Sequence, residues 1–201
     1  MALKMDGLKE EAIERIVDTV RDKLSRGKAA TAEVFVRHFY ENVAADDLIA
    51  EEAEDLYGAA LSLWGFAATR QPREARLRVY NPKFDQHGWH STHTVVEVVH
   101  DDMPFLVDSL TTEFNQQGIA IHQIIHPVFA TARDKNGKIA SLKPVAKAGD
   151  GHARESCIHV QIDAQPNSGA LRQIEARLRK VLGDVRFAVE DWRAMREILS
   201  G

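Results

Sequence analysis

Cysteine is almost missing from this chain: Cys157 is the single one among 201 residues. An internal disulfide is therefore excluded, and the usage fits a reducing compartment. A basic excess is missing too. Lys and Arg total 26 against 30 Asp and Glu, a formal net charge of -4. That argues against broad binding to nucleic acid or to an anionic membrane, since each needs a cationic face, and leaves room for a local basic patch. No apolar run approaches the ~20 residues that span a bilayer. The opening stretch MALKMDGLKEEAIERI is charged and helical in pattern, without the apolar core of a signal peptide. These absences together predict a cytoplasmic protein. A dinucleotide fingerprint is also absent. No G-x-G-x-x-G follows a strand and opens a helix, and Gly149 and Gly151 lack both the third glycine and a suitable preceding strand. The sequence holds no low-complexity tract and no internal repeat.

What remains is an ordinary globular composition, 44% hydrophobic and 28% charged, in a length that suits one large domain or two small ones. Residues 1–71 read as an N-terminal helical segment. Ile13, Ile16, Val17, Val20 and Leu24 form one apolar stripe, Phe35, Val36, Phe39, Tyr40 and Val43 a second, and Ala53, Leu56, Tyr57, Ala60, Leu63, Trp64 and Ala67 a third. Residues 72–201 read as an α+β domain. Arg76 to Tyr80 is a short strand closed by Asn81-Pro82, and Lys83 to Ser91 is a loop turning at His87-Gly88. From Thr94 to Ala132 the pattern is strand, tight loop, helix, strand. Thr94 to Val99 is β-branched, Met103, Leu106, Val107, Leu110 and Phe114 make one helix face, and Gly118 suits the helix C-terminus. Asn136-Gly137 signals a hairpin returning from about Ile139 onto the preceding strand. Lys147 to Ser156 is a polar, mobile loop. Ile158, Val160 and Ile162 alternate as a half-buried strand that Cys157 begins. Ser168 caps a helix carrying Leu171, Ile174, Leu178 and Val181, which Gly183 ends. Val185, Phe187 and Val189 alternate as a last strand before a terminal helix from Asp191 to Leu199. With the hairpin arm set aside as an insertion, the order is βαββαβ. This is the ferredoxin-like arrangement of two helices over one face of an antiparallel sheet. The other face needs a cover, either the N-terminal helices or another subunit.

The loop after the Thr94 strand is the candidate site. It carries Asp101, Asp102, Met103 and Pro104, with Pro104 at the first helical position, where its missing N–H costs nothing. Backbone N–H groups of a first helical turn can hold a small anion. The competing reading makes the aspartates helix caps and the loop an interface element. His87, His90 and His93 recur at three-residue spacing. No cysteine or tightly placed carboxylate joins them, so a polar loop or interface role outweighs a metal site or a small metal hydrolase. His122 and His126 sit on one strand face about 13 Å apart, too far to share a metal. Asp108, Glu113 and Glu97 form a weak acid/base set, since Asp108 fits better as a first-turn carboxylate. Cys157 shows no base beside it. Arg70, Arg73, Arg76 and Arg78 form a basic run that reads as a solvated face or an interdomain contact.

Four segments carry a family resemblance: FVRHFYENVAADDL (35–48), LRVYNP (77–82), GWHSTHTVVEVV (88–99) and DDMPFLVDSL (101–110). From about Ala29 to Leu199 the chain resembles the N-terminal region of the large bacterial NAD-specific glutamate dehydrogenases, which begin with ACT-like modules and carry the dehydrogenase region much further along. The resemblance implies an excised first ACT-like domain with its helical preface, acting in regulation and assembly. It implies no catalytic residue, cofactor or metal in this segment, and NAD bound by the parent enzyme. Its partners would be other domains of the same polypeptide and like subunits in a homo-oligomer. A small amino-acid effector is implied at Asp101, Asp102, Met103, Pro104, Phe105 and Leu106, with a carboxylate on the helix N–H groups and an aspartate on the amino group. Typical ACT ligand loops carry glycine where Met103, Pro104 and Phe105 stand here. A free-standing amino-acid-binding ACT sensor is the alternative.

Overall fold

The computed structural model describes the backbone of residues 2–200 and the side chains of 5–192, 195 and 196. Four helices come first: α1 (Ala2–Lys23), α2 (Arg26–Tyr40), the short α3 (Ala45–Ala50) and α4 (Ala53–Ala67). The strands are β1 (Arg76–Tyr80), β2 (Thr94–Asp101), β3 (Ile121–Ile125), β4 (Val128–Arg133), β5 (Ile139–Pro144) and β6 (Ala153–Ile162). The remaining helices are the single turn α5 (Phe84–His87), α6 (Leu106–Gln116) and α7 (Ser168–Ser200). All pairings are antiparallel, in the order β1-β2-β6-β4-β5. β3 pairs with the second half of β6 and β4 with the first half, so the two follow each other along one side of it. The break between them falls at His126-Pro127, where proline has no N–H to give and its carbonyl accepts the Cys157 N–H instead (3.0 Å).

Along most of β2 and β6 the sheet is buried on both faces, to which alternate residues point, while β3 and β5 keep exposed positions. Val96, Val98, Ile158, Val160 and Ile162 face α6 and α7, against Leu110, Phe114, Ile174 and Leu178. Val99 and Cys157, with Ile125, Phe129 and Leu142, face the helical layer, where Ile16, Phe35, Phe39 and Leu63 complete one continuous core. Phe35 stacks on Phe129 with ring centroids 4.9 Å apart. The N-terminal helices are thus the cover that the second face needed. Gly58 shows how closely they seat. A Cβ there would stand 2.1 Å from the Cβ of Trp89, so helix propensity gives way to packing.

Several features differ from the sequence expectation. Val185, Phe187 and Val189 are not a strand: α7 continues through Gly183 as a single helix of 33 residues. Val185 and Val189, four apart, lie on its buried face while Phe187 is 76% exposed, which is helical and not strand geometry. The edge position beside β2 is taken by β1 instead, so the missing last strand is replaced from the N-terminal side. Asn167, not Ser168, caps α7: its Oδ1 accepts the Ala170 N–H at 3.0 Å. The expected loop Lys147–Ser156 shortens, since Val145–Lys147 is a 3-10 turn and β6 already begins at Ala153. Cys157 accordingly lies inside β6 and not at its start. The hairpin at Asn136-Gly137 forms as expected. Asp134 Oδ1 accepts the N–H groups of Asn136 and Lys138, and Gly137 takes φ 78°.

Candidate functional site

Between the end of β2 at Asp101 and the start of α6 at Leu106 the chain turns sharply. Pro104 does not open the helix. The N-cap is Phe105, at φ 70°, with no side-chain hydrogen bond capping the helix and a ring 64% exposed. A non-glycine residue in the left-handed region costs on the order of 1–3 kcal/mol and persists only where its surroundings impose it. The first helical bond runs from the Ser109 N–H to the Phe105 carbonyl (2.9 Å). The N–H groups of Leu106, Val107 and Asp108 precede it, at the end of the helix where N–H groups have no intrahelical acceptor and the dipole is positive.

The two aspartates are neither caps nor free. Asp101 accepts from Arg70 Nη2 (2.8 Å) and pairs with Arg186 (2.9 Å). Asp102 accepts from Arg154 Nε and from Ser156 Oγ, each at 2.9 Å. The register explains this, since Asp101 stands opposite Glu155 across β2 and β6. Arg70, 2% exposed, donates to both carboxylates at 2.8 Å and to the Glu74 carbonyl. Glu155 also takes Arg133 through Nε (2.8 Å) and Nη2 (2.7 Å). Arg133 reaches on to the carbonyls of Ala67 and Gly137. One network of charge-assisted bonds therefore ties the candidate loop to the end of α4, the β4–β5 hairpin, β6 and α7. Burial alone would raise the Asp101 pKa, but Arg70 and Arg186 outweigh it and hold the carboxyl below its usual range.

His100, fully buried beside this loop, has a defined protonation state. Its Nδ1 lies 2.8 Å from the Asp101 carbonyl, which can only accept, and its Nε2 lies 3.0 Å from Arg186 Nη2, which can only donate. The ring is therefore neutral with its proton on Nδ1. Burial, with the nearby Arg186 charge, lowers its pKa.

Most of the basic run is not a solvated face, although the Arg73 side chain is 69% exposed. Arg70 is buried in the network, Arg73 pairs with Glu190, and Arg76 caps the Thr69 carbonyl while lying over the Phe66 ring. Arg78 donates to the buried Glu97 (2.6 Å). Glu97 also accepts from Tyr80 (3.0 Å) on the helical-layer side of the sheet, away from Asp108 and Glu113 on α6, so that acid/base set does not assemble. The three loop histidines also diverge. The His87 ring packs on Tyr80, the His90 N–H donates to Asp55, and the His93 ring lies 4.2 Å from that of His122, which pairs with Asp163. His126 lies outside β3, between two strands, so it does not share a strand face with His122. Among the described residues no group of three or more His, Cys, Asp or Glu side chains is placed to hold a metal ion. Cys157 is buried, and burial pushes its thiol pKa well up. Among the described residues no helix is long and apolar enough to cross a membrane.

The open start of α6 borders a groove of about 390 Å³ between α6 and α7, lined by Phe105, Asp108, Ser109, Thr112, Val181 and Asp184 among others. An antiparallel sheet with two helices on one face is the architecture of an ACT-type α+β module. The chain matches the family "Glutamate dehydrogenase, ACT1 domain" over residues 35–178, and it belongs to that family. It is 39% identical over 186 residues to an NAD-specific glutamate dehydrogenase of Halomonas elongata, covering 92% of this chain and 12% of the relative. To that of Pseudomonas aeruginosa it is 36% identical over 163 residues, 81% of this chain and 10% of the relative. To that of Mycobacterium tuberculosis it is 31% identical over 105 residues, 52% and 6%. The chain thus spans about a tenth of the length of the first two relatives.

Proposed function

We propose that this chain is a non-catalytic regulatory and assembly module of a large, cytoplasmic NAD-specific glutamate dehydrogenase. The parent reaction, L-glutamate, NAD and water to 2-oxoglutarate, ammonia and NADH, belongs to other regions of that polypeptide, as does the binding of NAD. The module's partners are those regions and like subunits, with a small amino acid as effector. The observation that carries the effector reading is the uncapped start of α6. A ligand carboxylate fits the N–H groups of Leu106, Val107 and Asp108, where unpaired donors and the dipole act together. Asp101 and Asp102, the partners expected for the amino group, are committed to arginines. Asp108, lining the same groove, takes that role. A ligand there favours one setting of the Asp101–Leu106 loop. Because the loop is tied to α4, the hairpin and α7, that preference passes to whatever packs on those elements. Such coupling between sites is typically worth about 1–3 kcal/mol.

Calorimetry of this chain against the twenty amino acids tests the reading. Saturable heat with at least one is expected, weakened about tenfold by Asp108→Asn. Silence with all twenty removes the effector. Glutamate-dependent NADH formation by this chain alone would overturn the non-catalytic assignment.

A further inference from the structure

A separate groove, of about 310 Å³, lies where the start of α2, the end of α4 and the start of β5 meet. That is a volume in which small-molecule sites are found. Lys28, Thr31, Trp64, Ala68, Lys138 and Ile139 line it, and no carboxylate does. Neither lysine ammonium has a salt-bridge or hydrogen-bond partner among the described residues, although Lys elsewhere on the surface does, as Lys180 does with Asp184. The indole Nε1 of Trp64 is buried without a hydrogen-bond partner. An indole N–H only donates, and a buried donor left unpaired costs about 1–3 kcal/mol. Gly27, also on the wall, belongs to the first turn of α2, which no side chain caps. The backbone carbonyls of residues 67–69, at and just past the end of α4, would repel an anion, but they are already occupied. Ala67 O accepts from Arg133, Ala68 O from the Ile139 N–H, and Thr69 O from Arg76. What remains at the groove is the unpaired positive charge of Lys28 and Lys138 beside the Trp64 ring, whose buried N–H has no partner, and aliphatic side chains.

We propose that this groove binds a small organic anion, with a phosphate or carboxylate head between Lys28 and Lys138 near the Trp64 N–H, and a short flat apolar body against the Trp64 ring and Ile139. The site is independent of the α6 loop and stands or falls separately from the effector reading.

The test follows the Trp64 indole N–H signal, assigned by its loss in Trp64→Phe, in the whole chain by NMR. Phenyl phosphate, benzoate, inorganic phosphate and phenol are titrated in turn. The expected result is a saturable shift with phenyl phosphate or benzoate, weaker binding of inorganic phosphate, and none of phenol. The tighter of the first two identifies the head group. The double variant Lys28→Gln/Lys138→Gln, both exposed positions, is expected to weaken binding about tenfold or more at unchanged thermal stability. Three results overturn the proposal: no shift with any anion, equal binding of phenol, or affinity unchanged in the double variant.

Discussion

Replacing Arg70 by methionine removes the cation that joins the candidate loop to the helical layer. The side chains of Arg70 and Glu155 are 3% and 4% exposed, so solvent screens the pair little. Breaking a buried ion pair by removing one partner costs roughly 3–5 kcal/mol, because a charge is left buried and unmatched. Here the loss is smaller. Glu155 keeps both bonds from Arg133, at 2.8 and 2.7 Å, and Asp101 keeps Arg186 at 2.9 Å. The expected cost of Arg70→Met is about 2–3 kcal/mol, or roughly 5–10 °C in Tm for a domain of this size. Arg133→Met alone leaves Glu155 with Arg70 and should cost a similar amount. The double variant leaves Glu155 with no cation and is expected to exceed the sum of the two by about 1 kcal/mol or more. Urea unfolding at pH 7, with the m-value checked for constancy, measures all three. A cost below about 1 kcal/mol for Arg70→Met, or strict additivity in the double variant, would refute the idea that the network binds these elements as a unit.

Other perturbations probe other joints. Gly58→Ala places a methyl group 2.1 Å from Trp89 Cβ and is expected to cost about 1–3 kcal/mol by overpacking. Gly65→Ala, on the same helix with nothing within 4 Å, is expected to stabilise by up to about 1 kcal/mol, and thermal melts of the two should move in opposite directions. Stability should fall with acid below about pH 6.5, the ordinary histidine value. Burial holds the His100 and His126 pKa values below normal in the folded chain, so the unfolded chain binds protons there that the folded chain does not. Each histidine contributes a slope of at most about 1.4 kcal/mol per pH unit, and Asp101, depressed by its arginines, adds a further loss below the normal carboxylate range. Urea midpoints at pH 7, 6 and 5 that stayed level, or a slope undiminished in His126→Gln, would contradict this. Cys157 should resist a thiol reagent in the folded chain and react once urea unfolds it.

Local rules carried the reading of the chain where a residue's neighbours in sequence decide its conformation. Gly118 follows α6 at φ 66°, Gly137 turns the hairpin at φ 78°, and the apolar stripes of α1, α2 and α4 fall where their spacing puts them. The errors share a cause. Val185, Phe187 and Val189 fit a two-residue period, but Leu178, Leu182, Val185 and Val189 also fit a helical one, and only packing on β1 and the sheet selects between them. The candidate loop was found from its strand–loop–helix pattern. The use of its aspartates was not legible, because Arg70 lies 31 residues from Asp101 and 85 from Glu155. Pairings that distant are made by strand register, and an isolated arginine in a basic run carries no mark of the carboxylate it will meet. The positive φ at Phe105 is equally invisible beforehand, since nothing local requires it.

The most direct measurement is a map of backbone amide shifts in this chain during titration with whichever amino acid gives calorimetric heat. The first and largest shifts are expected at Leu106, Val107 and Asp108, with smaller ones spreading to Asp101 and Glu155 along the arginine network. Shifts confined to other parts of the sheet, or a saturating ligand that leaves the first turn of α6 untouched, would contradict the assignment of that turn as the effector site.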